Sequence, residues 1–430
     1  MTAAAPAEGR GVGPEARPTL PVARTFKVIS YNILAPKYSG FNSYCPPQLL
    51  DWAYRRPLVL RELDFHSADL IGLQECDMEF FSRELGAWMA ERGMEGEFLP
   101  RNVGPVPGPT EGIALLWRSS ALEAVARRSY VFAEMGPEVA GLPPEIADTE
   151  PWRKLKELGE GAVLVLLRHR PTGQLLLGAV THLFWNPAFP DVKVLQAALL
   201  CGAMAAFAQE ASGAAGQAAS VPVVLCGDFN SLASKRLPDS FDPQVPADGL
   251  ASGVYTLLSR GSLPPDHPDH PHSRVWGPGP GGPGGGGGAD ASKAASGGAE
   301  RFPALPMGCS GLRLTSLSAE AFGREPPLTT RTASFAGCLD YVWLSSGPGS
   351  KLAVVSALAM PYDNEDGLPS MGPSAAARPA AGGAGDFGGG GGRRDGSWRD
   401  PLADIAFRPI PDEEYPSDHL AVGGELLLLP

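Results

Sequence analysis

The sequence predicts an α/β fold with its sheets covered by helices. Two observations carry that prediction. Short apolar runs rich in β-branched and aromatic residues alternate with longer stretches at helical spacing through most of the chain. Several of those short runs also stop abruptly at an acidic or amide residue, as strands do where they meet loops. The 430 residues, 43% hydrophobic and 19% charged, supply enough apolar material for a large core. Length alone suggests two or three domains, but single α/β domains can exceed that prior, so the count stays open at this point.

The folded part is expected to begin at Thr25, with a first strand from Phe26 to Asn32. From Leu49 to Phe65, the residues Leu49, Trp52, Leu60 and Leu63 recur at helical spacing with Arg55, Arg56, Arg61 and Glu62 between them. Asp69 to Glu75 reads as a short buried strand ending in acid, followed by a second helix from Glu79 to about Arg92. Strands are expected at 113–117, 162–167 and 175–181. The stretch from Val192 to about Gln209 reads as the longest amphipathic helix. A buried strand over 221–226 runs straight into Gly227, Asp228, Phe229 and Asn230, and late strands are expected at 339–344, 352–359 and 422–429.

Segments 277–300 and 372–397 break this pattern, being dominated by Gly, Ala, Pro and Ser. Such composition cannot bury enough surface to offset backbone entropy, so both are expected to be disordered insertions. Residues 1–24 are Ala/Pro/Gly-rich and are expected to be disordered as well. They lack a hydrophobic region and make a poor signal peptide; an organelle transit peptide stays open.

The formal charge of −12 argues against holding long duplex nucleic acid by phosphate neutralisation alone. It leaves room for an enzyme that meets a short single strand in a pocket. Six cysteines show no C-x-x-C pair and no regular framework, so reduced intracellular thiols are expected rather than a disulfide scaffold or zinc finger. No run of about 18 apolar residues exists, so no membrane span is expected.

The chemistry shows where polar groups fall at the ends of apolar runs. The first strand ends in Asn32, the second in Glu75, and the 221–226 strand leads to Asp228 and Asn230. His182 follows the 175–181 strand, Asp340 begins the 339–344 strand, and Asp418-His419 precedes the last one. Strand ends form a natural crevice where loops gather groups distant in sequence. Carboxylate and amide oxygens suit Mg²⁺, and a neighbouring histidine can bond a phosphate oxygen or donate a proton. Together they fit metal-assisted hydrolysis of a phosphodiester.

These pieces, Ser30-Tyr31-Asn32, Leu73-Gln74-Glu75, Thr181-His182-Leu183, Gly227-Asp228-Phe229-Asn230, Leu339-Asp340-Tyr341 and Ser417-Asp418-His419, resemble the ordered signature of the endonuclease/exonuclease/phosphatase superfamily. The stretches YNILAPKY, YCPPQLLDWAYRRPLVLREL, GPTEGIALLWR, THLFWNPAFPDVKVLQ and YPSDHLAV are similar to the carbon-catabolite-repressor-type deadenylases and their relatives nocturnin and Angel. The likeness spans about 25–260 and 328–428, the second Gly-rich insertion excepted.

The resemblance implies a two-sheet α/β sandwich of the DNase I-like kind flanked by helices, and one catalytic domain over 25–430. It implies Glu75 as the main Mg²⁺ ligand, with Asn32 and Asp418 completing the metal site and Mn²⁺ a substitute. Asp228 would orient or deprotonate the attacking water, Asn230 and His182 would contact the phosphate, and His419, oriented by Asp340, would stabilise developing charge. Pro187 and Phe335 would sandwich the terminal base. The implied activity is 3′–5′ hydrolysis of single-stranded RNA with a preference for poly(A); an intracellular, cytoplasmic location is expected, with the nucleus or an organelle left open.

Relatives acting on 2′,5′-oligoadenylate, 2′,3′-cyclic phosphate or dinucleotides share the motif set, and a catalytically dead RNA-binding scaffold is a further alternative. Relatives of the deadenylase type carry a leucine-rich repeat before the catalytic domain. None is seen here, so docking to a larger deadenylation complex is not implied. Where many relatives have Asp-Asn, this chain has Gly159-Glu160, and one peripheral site contact is expected to be lost.

Overall fold

The computed structural model describes residues 24–430 apart from 102–109, 215–220, 240, 243–244, 248, 275, 277–300, 348, 364–401 and 403–404. The two Gly-rich insertions and the N-terminal segment expected to be disordered lie outside the described residues, Arg24 excepted. Twelve strands build two large sheets. In chain order they are β1 (Thr25–Asn32), β2 (Leu70–Asp77), β3 (Met94–Pro100), β4 (Glu111–Arg118), β5 (Leu122–Val131) and β6 (Gly161–His169). Then come β7 (Leu175–His182), β8 (Val223–Asp228), β9 (Leu314–Ser316), β10 (Asp340–Ser345), β11 (Leu352–Ala357) and β12 (Val422–Leu428). The first sheet runs β11-β12-β1-β2-β4-β3 and the second β9-β10-β8-β7-β6-β5. Both are mixed, with β1/β2 and β7/β8 parallel.

The sheets face each other across a shared core in which Val28, Leu70, Leu115 and Trp117 of the first meet Val163, Val165, Val180, Val224 and Val342 of the second. The outer face of the first sheet packs Ile29, Tyr31, Ile71 and Leu73 against Val59 and Leu63 of α1 (Trp52–His66). Asp51 starts that helix by accepting the Ala53 N–H. The outer face of the second sheet packs Leu164, Leu177, Ala179 and Leu225 against α2 (Pro190–Ala214) and α3 (Gly253–Arg260). Strands buried on both faces explain why 162–167 and 175–181 read as unbroken apolar runs. The two-sheet sandwich flanked by helices expected from the sequence is the architecture observed.

Gly72 marks where the sheets come closest: a Cβ there would lie 2.4 Å from the Cβ of Cys226 on the opposite sheet. The close approach brings the ends of β1 and β2 against the ends of β7 and β8, which is where the polar tips lie.

Two expectations change. The helix read as amphipathic is buried nearly all round, because β6, β7 and α3 cover one face of α2 and the irregular segment 132–155 covers another. By length and composition it could cross a membrane, yet 83% of its apolar window is packed inside the protein. The helix expected from Glu79 to about Arg92 is present as one continuous helical run over 78–91, with a π-helical turn at Phe81–Leu85. Cys201 on α2 and Cys309 form a disulfide, so the expectation of reduced thiols fails for this pair, while Cys45, Cys76, Cys226 and Cys338 are free and buried. The pair is 108 residues apart and meets only because α2 packs on that loop, which spacing could not disclose.

Candidate active site

The second sheet sets three functional residues in one row. Asp340 lies opposite Asp228 in the antiparallel β10/β8 register, and His182 lies opposite Asp228 in the parallel β7/β8 register. Residues opposite one another on a sheet have side chains close enough to interact, so the fold itself aligns two carboxylates and an imidazole. His182 Nε2 is 3.5 Å from Asp228 Oδ2. A bridge between Thr330 and His419 adds the second imidazole, with Nδ1 2.9 Å from Asp340 Oδ2 and Nε2 3.8 Å from Asp228 Oδ2. Thr329 donates its hydroxyl to the same Asp340 oxygen at 2.5 Å.

The first sheet contributes by irregularity. Glu75 sits in β2 where the β2/β4 register shifts between Leu73 and Cys76, and its φ is +53°. A bulge of this kind re-aims a side chain that a regular strand would send elsewhere. Leu34 (φ +56°) and Asn230 (φ +48°) share the left-handed backbone, each at a cost of order 1–3 kcal/mol that the surrounding packing must offset. Three of the five non-glycine residues with positive φ among the described residues thus lie in the site loops.

Asn32 joins the two halves. Its Nδ2 donates to Glu75 Oε1 and to Asp228 Oδ2, both at 3.1 Å, and its Oδ1 accepts the Leu34 N–H. Ala35 N–H donates to Glu75 Oε2 at 2.9 Å. Asn42 Nδ2 donates to Asp418 Oδ2 at 2.9 Å, and Ser417 Oγ donates to the Asn32 carbonyl at 2.7 Å. Asn230 donates its backbone N–H to Asp228 Oδ1 and one amide hydrogen to the Leu183 carbonyl, keeping a second amide hydrogen for a ligand.

Burial, then the carboxylates of Asp418 and Glu111, push Glu75 up to about 7. Burial, then neighbouring Asp340, push Asp228 up to about 6. Burial opposes a charge on His419, but Asp340 and Asp228 together outweigh it and hold the imidazolium well above its ordinary range. Burial, then Arg101 and His419, lower His182 well below its ordinary range, so it is neutral. Its Nδ1 is buried without a partner among the described residues, as is Asp340 Oδ1.

Two acidic groups result. Asp228, Asp340 and His419 offer ligand atoms within 4.8 Å of one another. His419 already supplies their positive charge, and its Nδ1 is committed to Asp340. Around Glu75 the ligand atoms are carboxylate oxygens, its own and those of nearby Asp418, while Asn32 turns its amide N–H to Glu75 and its Oδ1 to the Leu34 N–H. That donor set fits a hard divalent cation.

All ten candidate residues can be placed. The structure draws Asn32, Glu75, His182, Asp228, Asn230, Asp340, Asp418 and His419 into one cluster. Phe335 is half-buried on the wall of a cavity of about 380 Å³ with Leu232, Tyr255, Pro326 and Cys338. Pro187 is exposed on the loop after β7 and is not among that cavity's lining residues.

The sequence reading passed over several supports. Arg55, fully buried, donates to the carbonyls of Ile33, Leu34, Leu50 and Pro416 and so ties the Asn32 loop to the Asp418 loop. Lys193 donates to the Asn230 carbonyl at 2.6 Å, and burial lowers its ammonium to about 8. Arg101 bonds Glu111, Glu160 and Tyr38, and Gln196 donates to Glu160 at 3.1 Å. Glu160 therefore serves a buried ion-pair network where a lost contact was expected. A charged or amide residue inside an apolar helical pattern was the signal available for Arg55, Lys193 and Gln196.

The profile of the Endonuclease/Exonuclease/phosphatase family matches residues 29–419. Among curated proteins, the chain is 28% identical over 310 residues to the CCR4-Not complex 3′–5′-exoribonuclease subunit Ccr4 of Phaeosphaeria nodorum, covering 60% of this chain and 48% of that one. It is 27% identical over 352 residues to the CCR4-NOT transcription complex subunit 6-like of Danio rerio, covering 77% and 57%. The chain thus spans about half the length of these relatives. Among solved structures, ANGEL2, described as a 2′,3′-cyclic phosphatase, superposes with a TM-score of 0.59 at 20% identity, covering 94% of this chain and 96% of that one. The human Nocturnin catalytic domain gives 0.50 at 18% identity, with 94% of each chain covered.

Proposed function

Because the chain belongs to the Endonuclease/Exonuclease/phosphatase family, we propose that it is a Mg²⁺-dependent phosphodiesterase that removes nucleotides from the 3′ end of single-stranded RNA, with a preference for poly(A). The observation that carries the reading is the convergence on Asp228: Asn32 and Asn230 donate to it, and His182 and His419 stand 3.5 and 3.8 Å away. Names of relatives support the RNA substrate.

Glu75, Asn32 and Asp418 would hold the cation, which supplies Lewis acidity toward the phosphoryl oxygens and a more acidic water. Asp228, ionised above about pH 6, accepts the proton of the attacking water. Neutral His182 offers a ring N–H, and Asn230 its free amide hydrogen, to the phosphoryl oxygens. His419 stays protonated, and its Nδ1–H, donated to Asp340, aims Nε2–H at the charge that develops on phosphorus or the leaving oxygen. The base at the 3′ end would stack between Pro187 and Phe335; stacking reads any base face, and a narrow slot favours purines.

The test incubates the purified chain and Mg²⁺ with labelled oligo(A), mixed-sequence RNA, 2′,5′-linked oligo(A), RNA ending in a 2′,3′-cyclic phosphate, and abasic duplex DNA. Stepwise shortening of oligo(A) from its 3′ end, faster than of mixed RNA, is expected. Selective consumption of one of the others would replace the substrate, and inertness toward all five would remove the activity.

A further inference from the structure

The two loops that deliver the site's residues each end on an aromatic side chain in solvent. Phe41 is 80% exposed and Trp185 61% exposed. Phe41 follows β1 and directly precedes Asn42, whose amide holds Asp418. Trp185 follows β7, three residues after His182 and two before Pro187. One therefore stands on the lip contributed by the first sheet and the other on the lip contributed by the second.

Each ring has an aromatic neighbour. Phe41 stacks on Tyr38 with centroids 6.3 Å apart and planes 29° from parallel, and Tyr38 is bonded to Arg101 and Glu111. Trp185 packs edge-on against Phe184 at 6.2 Å, and the row continues through Phe189 to Trp276, whose indole N–H donates to Asp191 at 2.7 Å. Aromatic faces exposed on the loops that carry site residues are open to stacking by a base. Lys37 pairs with Glu111 at 3.2 Å and Arg101 with Glu111 and Glu160. With a net charge of −12, the chain is also ill suited to gather a strand by neutralising its phosphates.

We infer that Phe41 and Trp185 are stacking platforms, one on each lip of the cleft, for unpaired bases upstream of the scissile bond in a single-stranded nucleic acid. The inference rests on the phosphodiesterase reading and adds to it how the strand is held: by base faces, which are sequence-tolerant, rather than by backbone charge.

The test compares the dinucleotide ApA with a twelve-residue oligo(A) on the wild type and on Phe41→Ala, Trp185→Ala and Trp185→Phe. The wild type is expected to have a KM at least about tenfold lower for the longer strand. Each alanine variant should raise that KM by about five- to tenfold and leave kcat and ApA turnover within about twofold, and Trp185→Phe should keep the KM near that of the wild type. The slope of log KM against log salt should correspond to no more than about one neutralised phosphate, roughly 0.7 in magnitude.

A wild type that turns over both substrates with equal KM, alanine variants that keep the length preference, or a slope above about 2 would overturn the platforms while leaving the phosphodiesterase reading intact. A folded wild type that cleaves neither substrate would overturn both.

Discussion

The two sheets reach the same pocket by different means. The second sheet uses a regular ladder, in which Asp340, Asp228 and His182 share one row because the β10/β8 and β8/β7 registers put them there. The first uses a bulge and left-handed backbone to turn Glu75 inward. The ladder side sets the imidazolium of His419 beside two carboxylates, Asp340 and Asp228. The bulged side sets Glu75 near Asp418 and near Glu111, whose own charge is paired with Lys37 and Arg101. Under the proposed function, proton handling and cation binding would fall to different sheets, with Asn32 bonding a carboxylate of each group.

The sharpest way to break this division is to delete one carboxylate from each side. Glu75→Ala and Asp228→Ala should each lower kcat by on the order of 10³-fold or more, with melting temperatures close to wild type, since three separate apolar cores hold the fold. Only Glu75→Ala should raise the Mg²⁺ concentration needed for residual activity. Equal Mg²⁺ requirements in the two variants would erase the distinction between the sheets.

A smaller effect sharpens the ladder side. Asp340→Asn removes the carboxylate that keeps His419 protonated, so kcat should fall by about 10²-fold. The direction in pH follows: the active form carries imidazolium, its affinity for the proton drops, and the alkaline limb of the rate profile moves to lower pH. An unmoved limb would detach His419 from that role.

One carboxyl from each side contributes to a pH signature in stability. Glu75 (about 7) and Asp228 (about 6) bind protons more tightly folded than unfolded. Without a divalent cation, stability should therefore fall as pH rises from about 4 through 7. Added Mg²⁺ should raise the melting temperature by about 5 °C at pH 8 and by little at pH 5.5, where protons already occupy the carboxyls. Equal shifts at both pH values in thermal melts would contradict this.

The smallest expected effect on activity is at the brace between the loops. Arg55→Lys keeps the charge but cannot reach four carbonyls, and should cost about 2 kcal/mol in denaturant unfolding while lowering kcat only severalfold.

What could be read from the sequence follows the same division. Strand tips announce residues placed by regular geometry, so Asn32, His182, Asp228 and Asp340 were visible as polar stops after apolar runs. Glu75 was visible as a type of residue, but the bulge that turns it inward involves a register shift against β4, a strand 36 residues further on, which no local pattern encodes. The buried helix α2 was mistaken for amphipathic because Lys193 and Gln196 look like a polar face. They are instead the buried supports of Asn230 and Glu160. The strands at 94–100 and 122–131 escaped notice because Glu, Gly and Arg interrupt their apolar residues, as befits edge positions in the two sheets. The Cys201–Cys309 pair depends on tertiary packing alone.

The most direct measurement is an anomalous difference map from crystals of the protein soaked in Mn²⁺. The account predicts a peak on the first sheet's side, within about 2.0–2.6 Å of a Glu75 carboxylate oxygen, with Asp418 and Asn32 as its nearest protein neighbours or one water removed. A peak centred instead among Asp228, Asp340 and His419, with none beside Glu75, would contradict it.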